Sequence, residues 1–186
     1  ENDWLRVFQI WKGGLSIWGG VLVGVLAIFV VCRVKHYDGL GLIDAMAPSL
    51  ALAQAIGRWG NYFNQELFGG PTDLPWGLEI DRAHRPSQYL DQATFHPTFL
   101  YESLWNLLVF VILMRLNKRL WLRAPAGTIF AAYLTLYSIG RVFVESLRVD
   151  PAQEIAGVRF NLVLFCVVFV VAGTWLLVNL RRTRPR

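Results

Sequence analysis

The chain has 186 residues, 55% of them hydrophobic and 17% charged, with a net charge of +5. A soluble domain carries about a quarter charged residues, so this composition excludes an ordinary water-exposed globular surface. The positive balance does not point to nucleic acid either, because the basic residues sit between apolar runs, where they act as topology signals.

The first residue is Glu1, and residues 1–12 lack the basic, apolar, small-residue order of a signal peptide. The chain therefore reads as a fragment or processed form of something longer. Five segments then follow that are able to cross a bilayer, which takes about 20 mostly apolar residues as helix. The first, residues 13–32, has no charge. It opens on Gly13-Gly14-Leu15-Ser16-Ile17-Trp18-Gly19-Gly20, whose glycine pairs allow close helix packing or an unwound turn beside a cavity. The second, about residues 40–62, is interrupted by Asp44, Gln54 and Arg58. Residues 64–95 hold Pro71, Pro75 and Pro86 with Gly69, Gly70 and Gly77, a composition that predicts an irregular loop or small head.

The third span, about residues 96–114, carries Glu102 near its start. The fourth, residues 124–147, carries Arg141 and Glu145 in its last part, and the fifth, residues 160–180, is uncharged. Basic clusters follow the first span (Arg33, Lys35, His36), the third (Arg115, Lys118, Arg119, Arg123) and the fifth (Arg181, Arg182, Arg184, Arg186). All three fall on one side if the spans alternate, and the excess of Lys and Arg makes that side cytoplasmic. The expectation is an all-α integral membrane protein, residues 1–186 forming one membrane domain. Its carboxyl terminus is inside and its 64–95 head outside. Eight Trp suit its many membrane–water boundaries. Cys32 and Cys166 lie in apolar runs and predict no disulfide framework.

The informative residues are those a bilayer rejects. A charge near its centre costs roughly 2.5–3.5 kcal/mol on insertion scales, and such a residue usually faces a cavity, a partner or a ligand. Tyr137, Arg141, Glu145 and Arg148 are spaced by four, four and three, which puts them on one helix face. Two arginines against one glutamate leave a positive charge over, suited to a phosphate that Arg grips bidentately. A self-neutralising ladder is the plainer alternative. Arg58, Asn61, Asn64 and Glu66 gather polar groups at the outer end of the second span. His96 stands just before Pro97, a residue suited to the first turn of a helix, and Glu102 lies within the next two turns. A carboxylate nearby would make such a histidine useful as an acid or base. Asp44 lies in the second span toward the cytoplasmic side, placed to pair with an arginine or with interfacial water. The three His are scattered and predict no metal site, and no phosphate-binding glycine loop or serine nucleophile elbow is present.

Four motifs together resemble the prolipoprotein diacylglyceryl transferase family. They are Gly13-Gly14-Leu15-Ser16-Ile17-x-Gly19-Gly20, Gly57-Arg58-x-Gly60-Asn61-Tyr62-x-Asn64-x-Glu66-Leu67-x-Gly69, His96-Pro97-x-x-Leu100-Tyr101-Glu102, and Tyr137-x-x-x-Arg141-x-x-x-Glu145-x-x-Arg148. The resemblance implies seven spans, of which this chain would hold the last five, in the bacterial cytoplasmic membrane. It implies transfer of the diacylglyceryl group from phosphatidylglycerol to the lipobox cysteine of a prolipoprotein signal peptide, with release of glycerol phosphate and no cofactor. On that reading Arg58 and Arg141 hold the phosphate, Glu145 orients the arginines, and Arg148 recruits the head group or the substrate. Asn61, Asn64, Glu66, Gly69, Tyr137, Glu102 and Asp44 shape or line the substrate site. One position departs. Where the family often has His, this chain has Trp18, whose indole accepts no proton. The base is thus open between His96, Glu102 and a thiol whose pKa the arginines lower. A non-enzymatic lipid-binding or transport protein is the rival reading.

Overall fold

A computed structural model describes residues 17–120, 123–150, 154–155 and 157–183. Residues 13–16 of the glycine-rich motif, Arg184, Arg186 and the side chain of Trp18 lie outside that description. The chain divides into two compact units, Glu1–Leu42 and Ile43–Arg186.

The first unit contains α1 (Ile17–Lys35) and the opening of α2 (Gly39–Gly57). Helix α1 is apolar until Arg33 and Lys35 in its last turn, where positive charge meets the free carbonyl end of the helix. The chain reverses at His36, whose φ is 56°. Asp38 then starts α2 by accepting the Leu40 N–H at 3.1 Å, as an N-terminal cap does.

The second unit holds the rest of α2, α3 (Trp59–Phe63), α4 (Thr98–Leu120), α5 (Thr128–Leu147) and α6 (Phe160–Arg181). Ala47, Ala51 and Ala55 of α2 are buried and recur every four residues, so they share one face. Their small size lets neighbouring helices approach closely. Ala47 and Ala51 join Val109 and Leu113 of α4 and Ile129, Ala132 and Tyr133 of α5 in the main core. The Ser103 hydroxyl donates to the Ala55 carbonyl at 2.8 Å and ties α4 to α2. Helix α5 packs against both α4 and α6. Helix α6 buries only Ala172 and Asn179 among its residues and exposes Val167, Val170, Val171 and Leu177. A helix apolar on every side has lipid as its natural surrounding.

Among the described residues, three segments, Gly39–Phe63, Thr98–Leu120 and Phe160–Arg181, are long and apolar enough to cross a membrane. The protein is an all-α membrane protein, and α1, α2, α4, α5 and α6 fall on the five expected spans. The segment between α3 and α4 is not wholly irregular. It contains a short antiparallel ladder, β1 (Leu78–Glu79) with β2 (Thr94–Phe95), in which Leu78 faces Phe95 and Glu79 faces Thr94. Phe68, Ile80 and Phe95 form its own small core, and Val149, just past α5, packs onto it. Strands of two residues carry no alternation that a sequence pattern could reveal. A second hairpin, β3 (Glu154–Ile155) and β4 (Val158–Arg159), leads into α6.

Candidate active site

The site is built where the second motif, the start of α4 and the end of α5 converge. The loop after α3 turns back through Gln65 and Leu67, both with positive φ (49° and 58°). Thr98 at the first turn of α4 donates its hydroxyl to the Leu67 carbonyl at 2.5 Å. The Gly69 N–H donates to the His96 carbonyl at 2.9 Å and the Gly70 N–H to the Leu147 carbonyl at 2.9 Å. A side chain at Gly69 would run into the Cβ of His96 and the Leu147 carbonyl. Only glycine lets three motifs meet this closely.

At this junction an ion-pair network runs through the protein interior. Arg58 Nε lies 2.5 Å from Glu102 Oε2, an ionic contact whose N–H direction does not make it a hydrogen bond. Arg141 Nη1 donates to Glu102 Oε1 at 2.7 Å and its Nη2 to Glu145 Oε2 at 2.9 Å. Arg148 Nη1 stands 3.6 Å from Glu145 Oε2, and its Nε and Nη2 grip Asp150 at 2.7 and 2.8 Å. Arg159 Nε donates to Glu145 Oε1 at 2.9 Å, joined there by Asn161 Nδ2 at 3.3 Å. Glu145 is fully buried, and Glu102 and Arg141 nearly so. Among the described side chains, four guanidinium groups thus meet three carboxylates, leaving one positive charge. Burial works against the charge of Asp150. The Arg148 hydrogen bonds and charge, joined by Arg159, outweigh it and hold the carboxyl below the usual carboxylate range.

Tyr137, Arg141 and Glu145 lie on α5 at the expected spacing, but the helix ends at Leu147 and Arg148 follows with extended backbone, bridged to Gly69. Tyr137 stacks on Tyr133 with ring centroids 5.7 Å apart and meets Phe165 edge-on. The Arg141 guanidinium carbon lies 5.3 Å from the centre of the same Phe165 ring, a cation–π contact. Three polar atoms here are buried without a hydrogen bond, Arg141 Nε, Asn106 Oδ1 and Glu102 Oε2, the last in ionic contact with Arg58. These residues, with Trp105, Tyr137 and Gly140, line a cavity of about 10 Å³, enough for about one water. Beside it, an apolar groove of about 580 Å³ runs between α4 and α5, lined by Leu104, Trp105, Leu108, Ile139, Phe143 and Val144 among others.

The second motif hangs on Arg58. Its Nη1 donates to Asn61 Oδ1 at 3.3 Å, and Asn61 and Asn64 both donate to Glu66 Oε1, at 3.0 and 3.2 Å. His96 does not pair with Glu102. Its Nδ1 lies 3.3 Å from the Tyr101 hydroxyl, which accepts the Trp76 indole N–H at 3.0 Å. The Tyr101 hydroxyl can both accept and donate, so it holds the His96 ring in either tautomer. Asp44 stands apart from the arginines. Its Oδ2 accepts the Gly127 N–H at 2.7 Å and its Oδ1 the Phe130 N–H at 2.8 Å, at the start of α5. Sequence reasoning missed Asp150, Arg159, Asn161, Asn106 and Trp105. Of these, only Arg159 carried a signal, a charge directly before an uncharged span.

A largely buried arginine–carboxylate network, set among membrane helices beside an apolar groove, is the polar centre of an integral membrane protein. A family profile described as "Prolipoprotein diacylglyceryl transferase" matches residues 1–179. The chain belongs to that family. It is 50% identical over 181 residues to a phosphatidylglycerol–prolipoprotein diacylglyceryl transferase of Cutibacterium acnes, covering 97% of this chain and 60% of the relative. It is 48% identical over 180 residues to the protein of the same name from Bifidobacterium adolescentis, covering 91% and 54%. A Streptomyces coelicolor relative, the second of that name there, is 48% identical over 178 residues, covering 96% and 56%. The chain therefore spans a little over half the length of these relatives.

Proposed function

We propose that this chain is the catalytic part of a phosphatidylglycerol–prolipoprotein diacylglyceryl transferase of a bacterial cytoplasmic membrane, its carboxyl terminus in the cytoplasm. The observation that carries this reading is the buried network itself. Desolvating seven charges is costly, and a buried ion pair is weak evidence for stability, so the cluster is better understood as a prepared site for an anion.

The reaction joins two substrates, phosphatidylglycerol and the lipobox cysteine of a prolipoprotein signal peptide. The cysteine thiol loses its proton, since the thiolate is the nucleophile. Sulfur attacks the glycerol carbon bonded to phosphate. The C–S bond forms as the C–O bond breaks, and glycerol phosphate leaves with the bonding electrons. Arg58 and Arg141 stabilise the phosphate charge as it develops. Glu102 and Glu145 hold these two guanidiniums in place. Glu102 is a poor candidate for the base, because both of its oxygens face arginines. His96, oriented through Tyr101, is the better one, with lowering of the thiol pKa beside the arginines reducing the demand on it. Arg148 recruits the head group. Asn61, Asn64 and Glu66 bind glycerol and phosphate oxygens, with Gly69 and Tyr137 shaping the space. The apolar groove between α4 and α5 suits an acyl chain.

The test is mass spectrometry of a synthetic lipobox peptide incubated with full-length protein and phosphatidylglycerol, without added metal. The expected result is the mass gain of one diacylglyceryl group and release of glycerol phosphate, with Arg141→Ala lowering kcat/KM roughly 100-fold or more, as loss of a transition-state charge contact does. Lipid binding with no product would overturn the reading in favour of a non-enzymatic lipid-binding protein.

A further inference from the structure

We infer that Arg159, which lies outside every motif arginine, supplies the surplus positive charge of the buried network and so its affinity for an anionic lipid head. The inference rests on the proposed lipid function and adds a residue to it.

The argument is one of charge and of occupied donors. Arg58, Arg141 and Arg148 face Glu102, Glu145 and Asp150. Those three pairs alone are neutral and have no surplus charge to offer a phosphate. Among the described side chains, Arg159 makes the network cationic. The nearest further carboxylate in the second motif, Glu66, is exposed and contacts Asn61 and Asn64 rather than a guanidinium. Solvent screens it.

Arg159 itself is not placed to touch substrate. Its Nε donates to Glu145 Oε1, its Nη1 to the carbonyls of Arg148 and Asp150 at 3.2 and 3.0 Å, and its Nη2 lies 3.4 Å from Asp150 Oδ2. It is a positioning residue. By taking Glu145 Oε1 it leaves Oε2 to Arg141 and Arg148, and by sharing Asp150 it weakens the hold of that carboxylate on Arg148.

The experiment uses the full-length protein in detergent micelles. It measures kcat and KM for phosphatidylglycerol, and binding of short-chain phosphatidylglycerol against phosphatidylcholine. Arg159→Gln is expected to raise KM roughly tenfold, with kcat within about twofold, as loss of one nearby unit charge would. Arg159→Lys keeps the charge and should stay near the parent KM. The double variant Arg159→Gln with Asp150→Asn restores the single surplus charge and should recover most of the lost affinity. A clasp with only a structural role predicts the reverse, a double variant as weak as the single one or weaker, and that result overturns the inference. If Arg159→Gln cannot be obtained folded, Asp150→Asn alone decides. It should tighten phosphatidylglycerol binding, and weaker binding refutes the charge role. A parent protein that binds both lipids equally would sink the head-group reading itself, a failure distinct from that of Arg159.

Discussion

Glu145 carries the heaviest electrostatic load of any side chain in the site. It lies fully buried between Arg141, Arg148 and Arg159, with hydrogen bonds from Arg141, Arg159 and Asn161 and an ion pair with Arg148. Removing one partner of a buried pair leaves uncompensated charge, at a cost of about 3–5 kcal/mol. Glu145→Gln keeps the shape and removes the charge. It is expected to destabilise the protein by roughly that amount, read as loss of resistance to unfolding by sodium dodecyl sulfate. A variant as stable as the parent would show that the arginines are neutralised elsewhere. His96 makes a different point at the same scale. A histidine before a helix and a glutamate two turns in are easily imagined as partners from sequence. Glu102 is instead drawn to two guanidiniums, and His96 finds a tyrosine hydroxyl.

At the scale of elements, α5 is the helix the others serve. Its start is held by Asp44 of α2, whose two oxygens take the Gly127 and Phe130 N–H groups. These belong to the free donors that every helix amino terminus leaves over. Asp44→Ala should cost about 1–3 kcal/mol, the penalty of unsatisfied buried donors. KM for lipid should remain close to that of the parent, measured by the peptide-transfer assay. A large KM change with intact stability would return Asp44 to the substrate site. Further along, Trp105 of α4 packs onto Gly140 so closely that no side chain fits there, and its indole N–H donates to the Leu136 carbonyl. This contact separates the small polar cavity from the apolar groove, since both residues line both spaces. The hairpin of β3 and β4 does comparable work at the other end, delivering Arg159 to Glu145.

For the whole molecule, the arrangement of charge along the chain predicts which ends of the helices face which compartment. After Cys32 and Cys166 are replaced by Ser, Asp73→Cys in the head should react with an impermeant maleimide added outside intact cells. Lys118→Cys, at the end of α4, should react only after permeabilisation. Labelling of both positions from one side would overturn the topology.

Much of the molecule was legible in the order of its residues. Long apolar runs must become helices in lipid, because backbone donors there have no water to turn to, and helices α1, α2, α4, α5 and α6 follow. The spacing of Tyr137, Arg141 and Glu145 placed them on one face, since helix geometry is local, whereas the helix stops before Arg148. The Arg141–Glu145 pair is local, but tertiary structure alone decided which charges meet between elements. Arg58 comes from the turn between α2 and α3, Glu102 from α4 and Arg141 from α5, and Arg159 arrives from a hairpin two residues to a strand. No local period encodes such contacts, because an ion pair is chosen by distance through the fold and not by separation along the chain.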